Sequence, residues 1–157
     1  MKERIALKTR KATVRDALAI HALIMRNARE GSMLPRSMNE IYERIRSFFV
    51  IEIDGQIQGC CCLHVMWDDL AEVKSLSVAP EYQGMGMGRA LIEEAMIEAR
   101  ELEVTRVFAL TFIPGYFEKF GFKKVDMNEL PKKIWIECVN CVNYPDCNEI
   151  AVIRPVD

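Results

Sequence analysis

The sequence predicts a mixed, mostly antiparallel β-sheet carrying helices, an α+β or α/β chain. Three observations predict it. Apolar stretches between Phe48 and Val78 are separated by tight turn signals, which makes three consecutive hairpin-connected strands. A glycine-rich loop, a helix and a further strand then follow the strand that ends at Val78, and that order needs a crossover and hence a parallel pair. The chain has 157 residues, 50% hydrophobic and 28% charged, which is ordinary composition for a single domain, residues 1–157, able to bury its own core.

The elements follow in order. Ile5-Ala6-Leu7-Lys8 reads as a short first strand. Thr13-Val14-Arg15-Asp16 is a capping box that opens a helix, with Val14, Leu18, Ala22 and Met25 as its apolar face and Gly31 as its stop. Ser37-Met38-Asn39-Glu40 is a second capping box, backed by Ile41 and Ile45. Phe48-Phe49-Val50-Ile51 is a buried strand, and Asp54-Gly55 is a strong hairpin turn. The return strand covers residues 56–66, Trp67-Asp68-Asp69 turns, and the next strand covers 71–78. A helix is expected over 89–102, with Leu91, Ala95 and Leu102 as its face and Ile92, Met96 and Ala99 beside them. Residues 106–110 form a strand, 116–120 a short helix ended by Gly121, 122–125 a strand, and 150–153 a last strand.

Charge and composition exclude several functions. Lys and Arg number 21 against 23 Asp and Glu, so the net charge is −2 and the basic excess of a general nucleic-acid binder is missing. No apolar run approaches the roughly 18–20 residues of a membrane helix. Met1-Lys2-Glu3-Arg4 leads into no long apolar stretch, so no signal peptide is expected. The expected setting is the cytoplasm, with reduced thiols. The oligomeric state stays open, a homodimer included.

The segment richest in chemistry is Leu76-Ser77-Val78-Ala79-Pro80-Glu81-Tyr82-Gln83-Gly84-Met85-Gly86-Met87-Gly88-Arg89. Alternate glycines before a helix expose successive backbone N–H groups, which with the positive helix end suit a pyrophosphate. The spacing is neither that of the dinucleotide fingerprint nor that of the phosphate-binding loop with its lysine. By itself it also reads as a tight strand-to-helix turn that needs glycine for backbone reasons.

Gln83-Gly84-Met85-Gly86-Met87-Gly88 resembles the Q/R-x-x-G-x-G/A motif of the GNAT superfamily of N-acetyltransferases. The flanks resemble it too, Val78 to Tyr82 in front and Phe117-Glu118-Lys119-Phe120-Gly121-Phe122 behind. The resemblance implies a sheet with helices on both faces, and acetyl-CoA as cofactor. It places the pyrophosphate on Gln83, Gly84, Met85, Gly86, Met87, Gly88 and Arg89. It places the pantetheine arm along Leu76, Ser77 and Val78, as an added strand would lie. Three further segments, residues 63–78, 106–112 and 133–135, resemble the short, stand-alone bacterial N-acetylglutamate synthases. Those enzymes acetylate the α-amine of glutamate on the way to arginine.

Such an amine is mostly protonated at neutral pH, so a base helps. Glu72 is the candidate: the family places a general-base glutamate here, and strand alternation puts it on one side with Lys74, Leu76 and Val78. The plain alternative is a solvated strand-end carboxylate. Many relatives carry an acid tyrosine four residues before the G-F pair. Here that residue is Phe117, and the adjacent Tyr116 points about 100° away on a helix. Arginine is the natural clamp for the acceptor's carboxylates. Arg36 is the first choice and Lys74 the second, whereas Arg26, Arg29 and Arg44 read as solvated helix charges and His64 as a half-buried histidine. Cys60, Cys61 and Cys62 read as small buried thiols. Cys138, Cys141 and Cys147 give three thiols where a closed zinc site wants four ligands, so no metal is expected. The rivals to an amino-acid acceptor are a protein N-terminus, a lysine or a polyamine, and, without catalysis, a module that only binds acyl-CoA.

Overall fold

The structure, a computed structural model, describes residues 7–131, 134 and 149–157. Its centre is a seven-stranded sheet in the order β1-β2-β3-β4-β5-β7-β6. β1 is Thr9–Lys11, β2 Phe48–Ile53, β3 Gln56–Trp67, β4 Leu70–Val78, β5 Arg106–Thr111, β6 Lys123–Val125 and β7 Ile150–Pro155. Every pairing is antiparallel except β4 with β5, where the crossover helix intervenes. The mixed, mostly antiparallel sheet of the sequence reading is therefore borne out. β7, last in sequence, slots between β5 and β6, an insertion that local patterning does not encode.

Helices cover both faces. α1 is Ala17–Arg29, α2 Met38–Glu43, α3 Met87–Glu101 and α4 Pro114–Glu118. Strand alternation sends Phe48, Val50, Cys60 and Cys62 to the α1 side, where they meet Ile20, Leu23, Ile24 and Ile41. Phe49, Ile51, Cys61, Leu63, Ala71 and Val73 go to the α3 side and pack on its stripe of Leu91, Ile92, Ala95, Met96 and Ala99. The three consecutive thiols are thus core atoms on alternate faces, as expected. Burial pushes the Cys62 thiol up to about 12, with Glu72 and Glu40 adding to it and Lys74 and Arg44 opposing.

Turn chemistry matches the residues. Asp54 and Gly55 both have positive φ, 51° and 79°, as the two central positions of a tight hairpin require. The Ser37 hydroxyl accepts from the Glu40 amide at 3.1 Å and starts α2. A 3₁₀ turn, Val14–Asp16, precedes α1, with the Asp16 carboxylate accepting from the Thr13 amide at 2.8 Å.

Three expectations need correction. Among the described residues the first strand is Thr9–Lys11, and Leu7 and Lys8 are not in it; Ile5 and Ala6 of the expected strand lie outside the described residues. The buried face of α1 is Ala17, Ile20, Leu23, Ile24 and Asn27, while Val14 and Leu18 are 61% and 71% exposed. α1 is apolar on two sides, both at helical spacing, and only the sheet selects between them. Leu102 lies past the end of α3 and is exposed, so it takes no part in the stripe.

Candidate active site

The site forms where two strands part. β4 and β5 pair from Leu70 with Arg106 to Glu72 with Phe108, and no further pair extends that ladder. Among the described residues none pairs with the β5-facing edge of β4 past Glu72, which leaves a strand edge available to a ligand. A bulge accompanies the parting. Cys62 pairs with Lys74 and Cys60 with Ser77, so Ser75 and Leu76 together oppose Cys61. Within the bulge Ser75 takes φ 57°, a left-handed conformation uncommon for serine, and its carbonyl accepts from the Cys60 thiol at 3.5 Å.

The bulge corrects the expected alternation. Leu76 and Val78 pack toward the α3 core, whereas Ser77 faces α1 and Cys62, on the α1 side, feels Glu72 and Lys74. The one extra residue moves the later side chains to the opposite face. Glu72 and Lys74 are 4% and 7% exposed, so Glu72 is no solvated strand-end carboxylate.

The glycine loop comes next. Gly84 and Gly86 have φ of 81° and 88°, and Gly86 is the N-cap of α3. Among the described residues a Cβ at Gly84 would meet nothing within 4 Å, and one at Gly86 only Leu7 Cδ1 at 3.8 Å. These glycines serve the backbone and leave the N-terminus of α3 open to the cavity, which fits an anionic pyrophosphate. Gly88 is different: a Cβ there would lie 1.6 Å from the Tyr116 hydroxyl. α4 thus lays Tyr116 on the first turn of α3, edge-on to Phe117 and Phe120. Burial holds the Tyr116 hydroxyl above its ordinary pKa.

Strand edge, loop and helices enclose a cavity of about 780 Å³. Glu72, Lys74, Arg36, Leu76, Ser77 and Val78 line it, as do Gln83, Gly84, Gly86, Met87, Gly88 and Arg89. Of the residues singled out in the sequence, Met85 does not line it and is exposed. Arg36 Nε lies 3.6 Å from Glu40, and the same carboxylate reaches Arg44 at 4.0 Å. Arg44 is not a solvated charge: it contacts the His64 ring and helps line a small recess beside Arg36 and Lys74. Arg26 pairs with Glu81 at the surface.

Sequence reasoning missed Asn27, Lys119 and Glu149, which also line the cavity. The signal for Asn27 was a polar residue on the helical stripe of Ile20, Leu23 and Ile24; the choice of the other stripe hid it. Among the described residues no cluster of His, Cys, Asp or Glu could hold a metal, and Cys138, Cys141 and Cys147 lie outside them. No described helix is long and apolar enough to cross a membrane.

Comparison with known proteins agrees with this geometry. The family model described as "Acetyltransferase (GNAT) domain" matches residues 44–124. An uncharacterized N-acetyltransferase of Chlorobaculum tepidum is 41% identical over 145 residues, covering 92% of this chain and 94% of its own. An amino-acid acetyltransferase of Mycobacterium tuberculosis is 32% identical, over 86% of this chain and 78% of its own. The structure of the N-acetylglutamate synthase of Neisseria gonorrhoeae, complexed with coenzyme A and N-acetyl-glutamate, superposes with a TM-score of 0.89 at 27% identity, over 99% of this chain and 36% of that one. The parted strands, the open glycine loop and these likenesses lead to one conclusion: the chain belongs to the GNAT acetyltransferase family.

Proposed function

We propose that the protein transfers the acetyl group of acetyl-CoA to the α-amine of L-glutamate, the first step toward arginine. The observation that carries the reading is a buried carboxylate, Glu72, in a cavity shared with Arg36 and Lys74. Described lining residues include four cations, Arg36, Lys74, Arg89 and Lys119, against two carboxylates, Glu72 and Glu149. That balance favours an anionic cofactor with an anionic acceptor and opposes a polyamine. The relatives named as amino-acid acetyltransferases, and the gonococcal synthase solved with coenzyme A and N-acetyl-glutamate, support the same acceptor class.

When bound, acetyl-CoA supplies an acetyl group activated as a thioester. The chain does the rest. Backbone N–H groups of Gly84, Gly86, Met87, Gly88 and Arg89, with the positive end of α3, would hold the pyrophosphate. The open edge of β4 from Leu76 to Val78 aligns the pantetheine arm. Arg36, with Lys74, holds the acceptor's carboxylates, the guanidinium by a fork that an ammonium cannot copy. Glu72 takes the proton from the acceptor's ammonium, directly or through one water, and so frees the nitrogen lone pair. Its burial keeps bulk water from competing for that proton. The C–N bond would form as the thioester C–S bond breaks, the CoA thiolate leaving and taking its proton from water, since Phe117 stands where relatives carry an acid tyrosine.

The test is a screen of CoA thiol release with glutamate, glutamine, other amino acids, spermidine and an N-terminal peptide. Glutamate should give the highest kcat/KM. A faster polyamine or peptide would overturn the acceptor, and tight CoA binding with no turnover on any amine would make the chain a binding module.

A further inference from the structure

Asn27 stands near the end of α1, on its buried face and 4% exposed. Its Nδ2 donates to the Val78 carbonyl at 3.2 Å and to the Ser77 hydroxyl, so the amide group ties α1 to the end of β4. A carbonyl can only accept, which fixes the orientation of the carboxamide and turns Oδ1 the other way. Oδ1 is buried and has no hydrogen-bond partner among the described residues, and Asn27 lines the main cavity. A buried amide oxygen without a donor is rare in native proteins and calls for an explanation.

The neighbourhood says which donor would suit it. The Val78 carbonyl already accepts twice, from Asn27 and from Gln83 Nε2 at 3.3 Å. An extended ligand on the open edge of β4 would bring N–H groups that need acceptors, and at Val78 the strand's own acceptor is spent. Asn27 Oδ1 is the acceptor left beside it. Glu72 is six residues away, roughly 20 Å along the strand, so the reacting amine is not the donor. Gln83 and Gly84, at the loop proposed to hold the pyrophosphate, are close by.

We propose that Asn27 Oδ1 accepts a hydrogen bond from an amide N–H of the pantetheine arm, the amide nearer the pyrophosphate, and so makes Asn27 a cofactor-positioning residue. The proposal rests on the reading of the cavity as the acetyl-CoA site. α1 then does more than pack: its carboxamide donates to the Val78 carbonyl with one end and receives the cofactor with the other.

The test is calorimetric binding of three ligands: CoA, a CoA analogue with that amide replaced by an ester, and adenosine 3′,5′-bisphosphate, which lacks the arm. Wild-type protein should bind CoA about tenfold more tightly than the ester, the size expected for losing a donor to a buried acceptor. Asn27→Leu, close in volume, should bring that ratio below about twofold while its affinity for the bisphosphate stays as in wild type. Asn27→Ala repeats the measurement should the leucine variant fail to fold. An unchanged amide-to-ester ratio in a folded variant overturns the proposal. So does a wild-type ratio near one, which needs no variant at all. Failure of wild type to bind either CoA or the bisphosphate would instead overturn the cofactor reading, and this inference with it.

Discussion

Replacing Glu72 by glutamine removes a proton acceptor and its negative charge while keeping the shape of the side chain. The side chain keeps its length, its place on β4 opposite His64 and its capacity to hydrogen-bond. General-base assistance is typically worth about 10²–10⁴ in rate. At 4% exposure Glu72 leaves bulk water little access to the amine's proton, which argues for the upper half of that range, about 10³–10⁴ at neutral pH. In free energy that is about 4–5.5 kcal/mol of barrier. The assay is CoA thiol release under saturating acetyl-CoA, with glutamate varied, from mildly acidic to strongly basic pH. Acetyl-CoA affinity should hold, because the backbone from Leu76 to Val78 is untouched. The deficit should shrink as pH rises, since more of the amine is then already neutral. A deficit that stays constant across that range would refute the base assignment, however slow the variant, because a merely positioning residue costs the same at every pH.

Four further outcomes are expected. Arg36→Ala should raise KM for glutamate about ten- to a hundredfold with little change for acetyl-CoA, and Arg36→Lys should recover only part; equal kinetics in the alanine variant and the parent would move the clamp elsewhere. Gly86→Val should weaken acetyl-CoA binding, since a branched residue is strained at φ 88° and would stand over the open end of α3; unchanged affinity in a folded variant would remove the loop from the cofactor site. Gly88→Ala should cost about 1–3 kcal/mol in a denaturant melt, because its Cβ would lie 1.6 Å from the Tyr116 hydroxyl, and adding Tyr116→Phe should restore part of it. The Asp16 carboxyl is held below its ordinary pKa first by hydrogen bonds from Arg10, at 2.8 and 2.9 Å, so its contribution is full above about pH 4, the unfolded value, and fades as pH falls through the lower folded value; Asp16→Asn should cost about 1–2 kcal/mol at pH 7, the half-exposed arginine limiting the loss, and the difference should close in acid.

Much of this was legible in the residues. Hairpin and glycine signals carry their own geometry, so Asp54-Gly55, Ser37 and the loop from Gly84 to Gly88 took the conformations their chemistry requires. Arg36, Glu72 and Lys74 indeed share one cavity. What escaped was set by long-range packing. The face of α1 was misread because Val14 and Leu18 repeat at the same spacing as Ala17, Ile20 and Ile24. The side chains of Leu76 and Val78 were assigned to the wrong face of β4, because nothing in Lys74-Ser75-Leu76 announces a bulge with serine at positive φ. Arg44 looked like a solvated helix charge and proved to contact His64 and to share the Glu40 carboxylate with Arg36. Tyr116 points away from Phe117 on its helix, yet its hydroxyl reaches Gly88 in the first turn of α3.

The central claim is that this cavity acetylates glutamate in preference to other amines. One competition measurement addresses it directly: acetyl-CoA offered to an equimolar mixture of glutamate, glutamine, spermidine and an N-terminal peptide, with products quantified by mass spectrometry at early times. N-acetylglutamate should be the dominant product. A mixture led by acetylated glutamine, spermidine or peptide would contradict it.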